Sequence, residues 1–426
     1  MKINALLDVN VVAHEAEDEV AVLLDLEAPA SIADATRPPA SLQVVLDRSG
    51  SMGGAPLEGA KRALVALVRR LEPTDNFGLV TFDDSAQVVV PAGPLMDKES
   101  VIRAIEAVHE GGSTDLSAGY LRGLRELRRV ATGGGTVLVI SDGHVNAGIN
   151  SVDEFAGVTA KAYTEGVVTS TLGYGRGYDE SLLVAIARSG NGNHVFADNP
   201  DAAGAAIAGE VDGLLNKAAQ GLTLTVSLED PVVFLRLYND LPVQEIAPGR
   251  LMIELGDLFS AEQRKVLLKL RIPGMAALGL ATIATLELAY VELPALIEHV
   301  VALPIAVNVV PGDEAAGRVP HPTVHSEVLF QEAQDTKRQA SEAFERGDMA
   351  TGQALFEQTK DRLRDALGAA PAPAAGAILA DLDAVESMSA IAYDVGPAYM
   401  SKMSRDSYHQ MNRKRGRTAR PETEEH

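Results

Sequence analysis

Between residues 41 and 217 the apolar positions follow two alternating regimes. Short continuous runs stand at 42–46, 77–82, 87–90, 137–140, 167–172 and 194–196. Unbroken apolar runs of this length predict strands buried on both faces. Between them, at 57–71, 98–109, 116–130, 152–164, 181–188 and 201–218, apolar residues recur every three or four positions, the spacing of one helix face. Such alternation predicts a doubly wound, mostly parallel six-stranded sheet with helices on both sides. The run at 87–90 follows its predecessor too closely for a helical crossover and is expected as an antiparallel edge strand. In a doubly wound order the first strand lies beside the fourth, and a ligand crevice opens at their carboxyl ends.

The flanking segments have a different period. Residues 3–12 and 19–26 alternate in part and predict two strands, followed by a Pro- and Ala-rich linker at 28–40. Two strands do not make a stable sheet alone. Strand patterns return at 222–228, 232–237, 250–255, 265–272, 281–290 and 302–310 with little helical signal. The organisation this predicts is a β-sandwich split in sequence: N-terminal strands in 1–39, an inserted α/β domain at 40–218, and the rest of the sandwich at 219–312. A helical region follows at 325–395, with helices at 326–346 and 349–366 joined at Arg346-Gly347-Asp348, an Ala/Pro linker at 368–376 and a helix at 378–391. The first two resemble a single tetratricopeptide unit, although such repeats need neighbours. From residue 396 to 426, Lys402, Arg405, Arg413, Lys414, Arg415, Arg417 and Arg420 accumulate without an apolar face. A solvated, disordered tail is expected there, with docking to an acidic partner as the alternative.

The first buried strand ends in chemistry. Val44-Val45-Leu46 runs into Asp47-Arg48-Ser49-Gly50-Ser51-Met52, and Gly53 and Gly54 precede the next helix. One carboxylate and two hydroxyls are hard oxygen donors of the kind Mg²⁺ favours. Alone, the turn is as well explained by Asp and Ser bonding their own backbone. Two later stretches change this. Gly111-Gly112-Ser113-Thr114-Asp115 sets a hydroxyl before a helix, and Val137-Leu138-Val139-Ile140-Ser141-Asp142-Gly143 is a second buried strand ending in a carboxylate.

Together these stretches resemble the von Willebrand factor type A domain with its metal-ion-dependent adhesion site, of the kind found in bacterial intracellular proteins. The family pattern, D-x-S-x-S followed by Thr and Asp, is matched by Asp47, Ser49, Ser51, Thr114 and Asp142 over residues 40–217. The resemblance implies that Ser49 and Ser51 ligate Mg²⁺ (Mn²⁺ or Ca²⁺ being alternatives) and that Thr114 joins directly or through water. It implies that Asp47 and Asp142 accept from metal-bound water and from the serines. It also implies a protein ligand whose Asp or Glu completes the coordination. Residues 250–258 and 265–270 resemble β modules that follow this domain in bacterial relatives. A β domain split by an inserted A domain occurs in several branches of the family. Relatives of this type work with MoxR-type AAA+ ATPases, with chelatase-like assemblies, or beside kinases and phosphatases.

Other residues on the same rim are read more plainly. Arg48 and Met52 are expected to point outward toward a partner, with loop packing as the alternative for Met52. Asn146 lies on the same rim, and His144 is a rim residue rather than a ligand. Gly173-Tyr174-Gly175-Arg176-Gly177 has no P-loop lysine or dinucleotide fingerprint and is read as a flexible rim loop. Asp83-Asp84 is read as a solvated loop rather than a catalytic pair.

Composition narrows the function. A net charge of −22 over 426 residues argues against a general nucleic-acid binder. Aromatics at 4% with no Trp leave little for a stacking surface. There is no Cys, the first twenty residues lack the apolar core of a signal peptide, and no run approaches the roughly 18 apolar residues of a membrane helix. A cytoplasmic location is expected. The expected function is a metal-dependent protein-binding adaptor or scaffold, not an enzyme. A metal-assisted hydrolase is one alternative, weakened by the lack of an evident base and nucleophile pair. A surface adhesin or pilus component is the other, which the split β domain suits.

Overall fold

The structure, a computed structural model, describes residues 1–30, 39–131, 134–142, 145–174, 180–197 and 199–412. The chain divides into two compact units, residues 1–31 with 218–426, and residues 32–217.

The first unit begins with β1 (Lys2–Leu7), β2 (Val11–Ala13) and β3 (Asp18–Glu27). Residues 3–12, expected as one strand, are two, and they join different sheets. Asp8 breaks the run because its Oδ1 accepts the N–H groups of Val9 (2.7 Å) and Ala21 (2.8 Å), a local bond that competes with the ladder.

The second unit alternates as the pattern requires: β4 (Ser41–Asp47), α1 (Ala55–Arg70), β5 (Asn76–Phe82), β6 (Ala86–Pro94), α2 (Lys98–Glu106), α3 (Leu116–Arg128), β7 (Gly135–Ser141), α4 (Val152–Thr164), β8 (Val167–Tyr174), α5 (Glu180–Ser189), β9 (Asn191–Ala197) and α6 (Pro200–Leu215). The sheet order is β6-β5-β4-β7-β8-β9. Every pair is parallel except β5 with β6, so the edge strand is antiparallel as expected, although it extends over nine residues rather than the run 87–90. Strand β4 lies between β5 and β7, which is the switch point. Successive residues of a strand face opposite sides, and β4 uses both. Val44 and Leu46 pack with Leu57, Leu64 and Leu67 of α1, while Val45 packs with Tyr120 and Leu124 of α3 and Phe155 of α4. Helix α3 lies close on the sheet. A Cβ on Gly119 would meet the Phe82 ring at 2.6 Å, and one on Gly123 would meet Val45 Cγ2 at 2.5 Å.

The first unit resumes with β10 (Lys217–Leu228), β11 (Val233–Leu237), β12 (Val243–Ala247), β13 (Arg250–Phe259), β14 (Gln263–Ile272), β15 (Gly279–Glu292) and β16 (Ile297–Val310). Two sheets form, β1-β3-β14-β11 and β12-β13-β10-β15-β16-β2. The N-terminal strand β3 is therefore interior, paired over ten positions with β14. Val20, Val22, Leu24 and Leu26 of β3 face one core together with Leu222, Leu224, Ile253, Leu286 and Val307. The intervening Ala21 and Leu23 face outward but are covered by Val324 of α8 (Pro322–Glu345), after the short α7 (Gly312–Ala316). Burial on both faces explains why the alternation of β3 is only partial, with residues 20–24 all apolar. The fully exposed β12 carries no such signal and was not expected.

Helices α8, α9 (Met349–Ala369), α10 (Ala372–Val395) and α11 (Pro397–Met411) close this unit. The linker expected at 368–376 contracts to the break between Ala369 and Ala372, because Ala-rich sequence is good helix former and Pro is tolerated in the first turn of α10. The tail expected from residue 396 is likewise helical as far as Met411, and α11 buries Met400, Ser401, Ser404 and Tyr408. What α11 lacks in apolar surface it supplies in polar contacts. Ser404 Oγ donates to Lys337 O at 3.0 Å, and Arg405 reaches Ser341 and Glu345. Arg413, Lys414, Arg415, Arg417 and Arg420 lie outside the described residues. Beneath α11, Lys337 and Asp381 form a fully buried ion pair at 2.6 Å. Among the described residues no helix is long and apolar enough to cross a membrane.

Candidate functional site

Asp47 is the last residue of β4 and is completely buried. Its Oδ1 accepts the Ser49 N–H at 2.8 Å, a tight turn that reverses the chain at the strand end. Its Oδ2 accepts the hydroxyl of Ser141 at 2.6 Å. Ser141 ends the neighbouring strand β7, and the parallel register pairs Leu46 with Ile140, so the next residues on each strand stand side by side. Burial pushes the Asp47 carboxyl up to about 6. The contacts from Ser141 and Ser49 oppose this, and the nearby charge of Asp142 adds to it. Asp142 itself is 7% exposed, just past the end of β7.

Ser49 starts a single 3-10 turn, Gly50–Met52. The turn brings the Ser49 and Ser51 hydroxyl oxygens to 3.1 Å. Ser49 is buried and Ser51 exposed, so the pair runs from the crevice floor to solvent. Met52 does not face a partner. It is fully buried and packs with the α1 core, because the 3-10 turn rotates it under the loop.

Thr114 lies in the loop before α3 and is 1% exposed. Backbone bonds tie this loop to the serine turn: Gly50 N–H donates to Gly112 O at 3.1 Å and Gly111 N–H to Arg48 O at 2.7 Å. The Thr114 carbonyl accepts the N–H groups of Asn146 and Ala147 at 3.0 and 3.2 Å, which brings the segment after β7 onto the same loop. Asp115 caps α3 through the Ala118 N–H at 2.9 Å and accepts the Ser117 hydroxyl at 2.6 Å. His144, Gly143 and most of the 173–177 run lie outside the described residues.

The crevice thus assembles Asp47, Ser49, Ser51 and Ser141 by direct contact, with Asp142 near enough to act on Asp47 and Thr114 held through its loop. Sequence reasoning passed over Ser141. The signal was present, because a polar residue in matching register on the adjacent strand must meet Asp47. Arg48 and Asp83 also differ from expectation. Arg48 Nη2 is 2.7 Å from Asp83 Oδ2, and Asp83 is buried rather than solvated.

The donor set can be tested for fit to a cation. Two cis ligands on an octahedral ion with bonds of 2.0–2.1 Å stand about 2.8–3.0 Å apart, whereas Ca²⁺ bonds spread them to roughly 3.3–3.7 Å. The Ser49–Ser51 separation of 3.1 Å lies between the two ranges, at a distance where the hydroxyls also hydrogen-bond each other. Among the described residues no group of three or more His, Asp or Glu side chains is placed to hold a metal. The oxygens that converge here are largely hydroxyls.

Residues 42–205 match the von Willebrand factor type A domain family. The chain therefore contains a VWA-fold domain, homologous to known members of that family. Among curated relatives, the uncharacterized protein sll0103 of Synechocystis is 28% identical over 263 residues, 57% of this chain and 60% of that protein. The uncharacterized protein YfbK of Escherichia coli is 29% identical over 194 residues, 45% of this chain and 32% of that protein. The chain thus spans less than two thirds of either. Two solved structures share the fold over nearly the full length of both chains. A von Willebrand factor type A protein from Catenulispora acidiphila superposes with a TM-score of 0.74 at 15% identity, covering 98% of this chain and 97% of that one. The ArnB paralog VWA2 from Sulfolobus acidocaldarius superposes with a TM-score of 0.62 at 15% identity, covering 95% and 97%. The architecture of VWA sheet, β-sandwich and C-terminal helices is therefore not peculiar to this chain.

Proposed function

We propose that the protein is a metal-dependent protein-binding adaptor in which Ser49, Ser51 and Thr114 present oxygens to one Mg²⁺ or Mn²⁺, and Asp47 and Asp142 orient them. The observation that supports this most is the pair of serine hydroxyls 3.1 Å apart beside a carboxylate whose two oxygens each already accept a hydrogen bond. Asp47 so engaged orients a serine and its turn. A cation held mainly by neutral hydroxyls keeps its positive charge toward solvent, and a partner's Asp or Glu satisfies it. Ser51 lies on the solvent side and marks the direction of approach. A cytoplasmic location belongs to this reading, which the absence of Cys suits. A MoxR-type AAA+ ATPase is the first partner class to test.

The test is Mn²⁺ titration by calorimetry on the native protein, Asp47→Ala and Thr114→Ala, together with binding of the candidate ATPase in Mg²⁺ and in chelator. The reading expects one Mn²⁺ per native chain, loss of uptake in Asp47→Ala, weaker uptake in Thr114→Ala, and partner binding only where metal binds. Equal partner binding in Mg²⁺ and chelator would remove the metal from the interaction. Metal-dependent chemical change in a bound protein would turn the reading toward a hydrolase.

A further inference from the structure

The loop that carries Thr114 belongs to no strand, so no sheet ladder sets its distance from the serine turn. Besides the Gly50–Gly112 bond and the Asn146 and Ala147 bonds to Thr114 O, the contacts that hold it meet at one ion pair. Arg48 stands between Asp47 and Ser49, and its guanidinium turns to Asp83, Nη2 to Oδ2 at 2.7 Å. Asp83 is 4% exposed, and its Oδ1 accepts the Ser85 N–H at 3.0 Å. Its backbone carbonyl accepts the Asp115 N–H at 2.6 Å, one residue past Thr114. Arg48 makes matching backbone bonds: its N–H donates to Phe82 O at 2.9 Å and its carbonyl accepts the Gly111 N–H at 2.7 Å. Asp83 Oδ2 also lies 2.1 Å from where a Cβ on Gly111 would stand, so the loop at that point is packed directly on the carboxylate. Three segments, those following β4 and β5 and that preceding α3, therefore meet at Arg48 and Asp83.

We infer that the Arg48–Asp83 ion pair is a positioning element of the metal site, fixing the Thr114 loop against the Ser49–Ser51 turn. The inference rests on the metal-binding reading above. A salt bridge at a surface contributes little, but this one is mostly out of solvent and each partner is also anchored by its backbone. Loss of either charge leaves the other without its partner, which lets the loop move by the few tenths of an ångström that separate a bound oxygen from an unbound one. Residues that orient metal ligands from behind cost roughly 10–100-fold in metal affinity when replaced.

The experiment uses the full chain with Arg48→Gln, Asp83→Asn, the double variant and Arg48→Lys. Mn²⁺ affinity is measured by calorimetry, and amide hydrogen exchange is followed in metal-free protein at Gly111 and Asp115, with Val44 and Val45 of β4 as internal controls. The inference expects each single variant to bind Mn²⁺ about ten-fold or more weakly. The double variant should lose no more than the weaker single, as for residues acting as a unit, and Arg48→Lys should recover part of the loss. Exchange should accelerate at Gly111 and Asp115 and not in β4. Unchanged affinity in both singles, or additive losses in the double, overturns the inference. Should Asp83→Asn fail to fold, the two Arg48 variants decide alone, because Arg48 is partly exposed. A native chain that takes up no Mn²⁺ overturns the metal reading and this one together. Native uptake with unaffected variants overturns only the positioning role.

Discussion

Ser141 Oγ donates to Asp47 Oδ2 at 2.6 Å, joining the carboxyl ends of two adjacent parallel strands at the sheet's switch point. The bond satisfies one oxygen of a fully buried carboxyl whose other oxygen is taken by the Ser49 N–H. Ser141→Ala removes that donor without disturbing the apolar strand before it. Leaving a buried acceptor without its partner costs about 1–3 kcal/mol. We expect a fall in stability of that order, measured by urea denaturation, with weaker Mn²⁺ uptake. A variant as stable as the native protein would show that water replaces the hydroxyl.

In the helical region, Lys337 and Asp381 are paired at 2.6 Å with neither side chain exposed. Asp381 also accepts from Gln334 at 2.7 Å, and Lys337 donates to Ser407 of α11 at 3.0 Å. Breaking a buried pair from one side leaves an uncompensated charge, at a cost of about 3–5 kcal/mol, whereas replacing both partners with apolar residues is often neutral or favourable. Lys337→Met should therefore destabilise the first unit strongly. Lys337→Met with Asp381→Leu should recover most of the loss. Denaturant titration of the three proteins checks this, and a double variant no better than the single would refute it.

The α/β unit was legible because its strands other than the edge strand β6 are mostly buried on both faces and its helices on one, so each kind of element carries a distinct period. The positions of Asp47, Ser49, Ser51, Thr114 and Asp142, at strand ends and in the loops beside them, were legible because the pattern had already located those strands and loops. Ser141, Arg48 and Asp83 were harder, since their roles come from which strands and loops become neighbours. Met52 was open for the same reason: the 3-10 turn that buries it has no periodic signal. The break at Asp8 escaped notice because its cause is a side chain accepting from Ala21, thirteen positions away. Helix α11 reads as tail because its apolar residues are sparse among serines and charged side chains, although Met400 and Tyr408 are buried together with Ser401 and Ser404.

Asp8 offers a pH-dependent check. Burial raises its pKa above the ordinary carboxylate value, against the opposing pull of the Ala21 and Val9 N–H groups and the Arg318 charge. A carboxyl raised in the folded state binds its proton more tightly there than when unfolded. It therefore contributes stability at low pH that is lost as pH rises through the folded pKa. Asp8→Asn keeps an Oδ1 acceptor for both N–H groups and never ionises. The difference in melting temperature, variant minus native, should become more positive as pH rises from about 4 to 7. Thermal melts across that range test it, and a difference that falls with pH would show that the Arg318 attraction outweighs burial.

The last prediction concerns the split sandwich. Strand β3 lies inside its sheet, between β1 and β14, and its register with β14 runs from Gln263 opposite Glu27 to Ile272 opposite Asp18. The strand also contributes Val20, Val22, Leu24 and Leu26 to the core on one side and Ala21 and Leu23 to the packing under α8 on the other. Removing residues 1–30 would take out an interior strand, expose the β14 edge and uncover two apolar layers at once. An exposed apolar edge is a template for aggregation. The α/β unit has its own two cores and takes no strand from residues 1–30. We therefore expect the fragment 32–217 to express as a soluble folded domain that keeps the Mn²⁺ uptake of the full chain. The chain lacking residues 1–30 should aggregate or melt at a lower temperature, while soluble material retains that uptake. Size-exclusion chromatography, two-wavelength thermal melts and calorimetry on the three proteins separate these outcomes. A soluble truncation with unchanged melting would mean that β3 is dispensable, contrary to its ten-residue pairing.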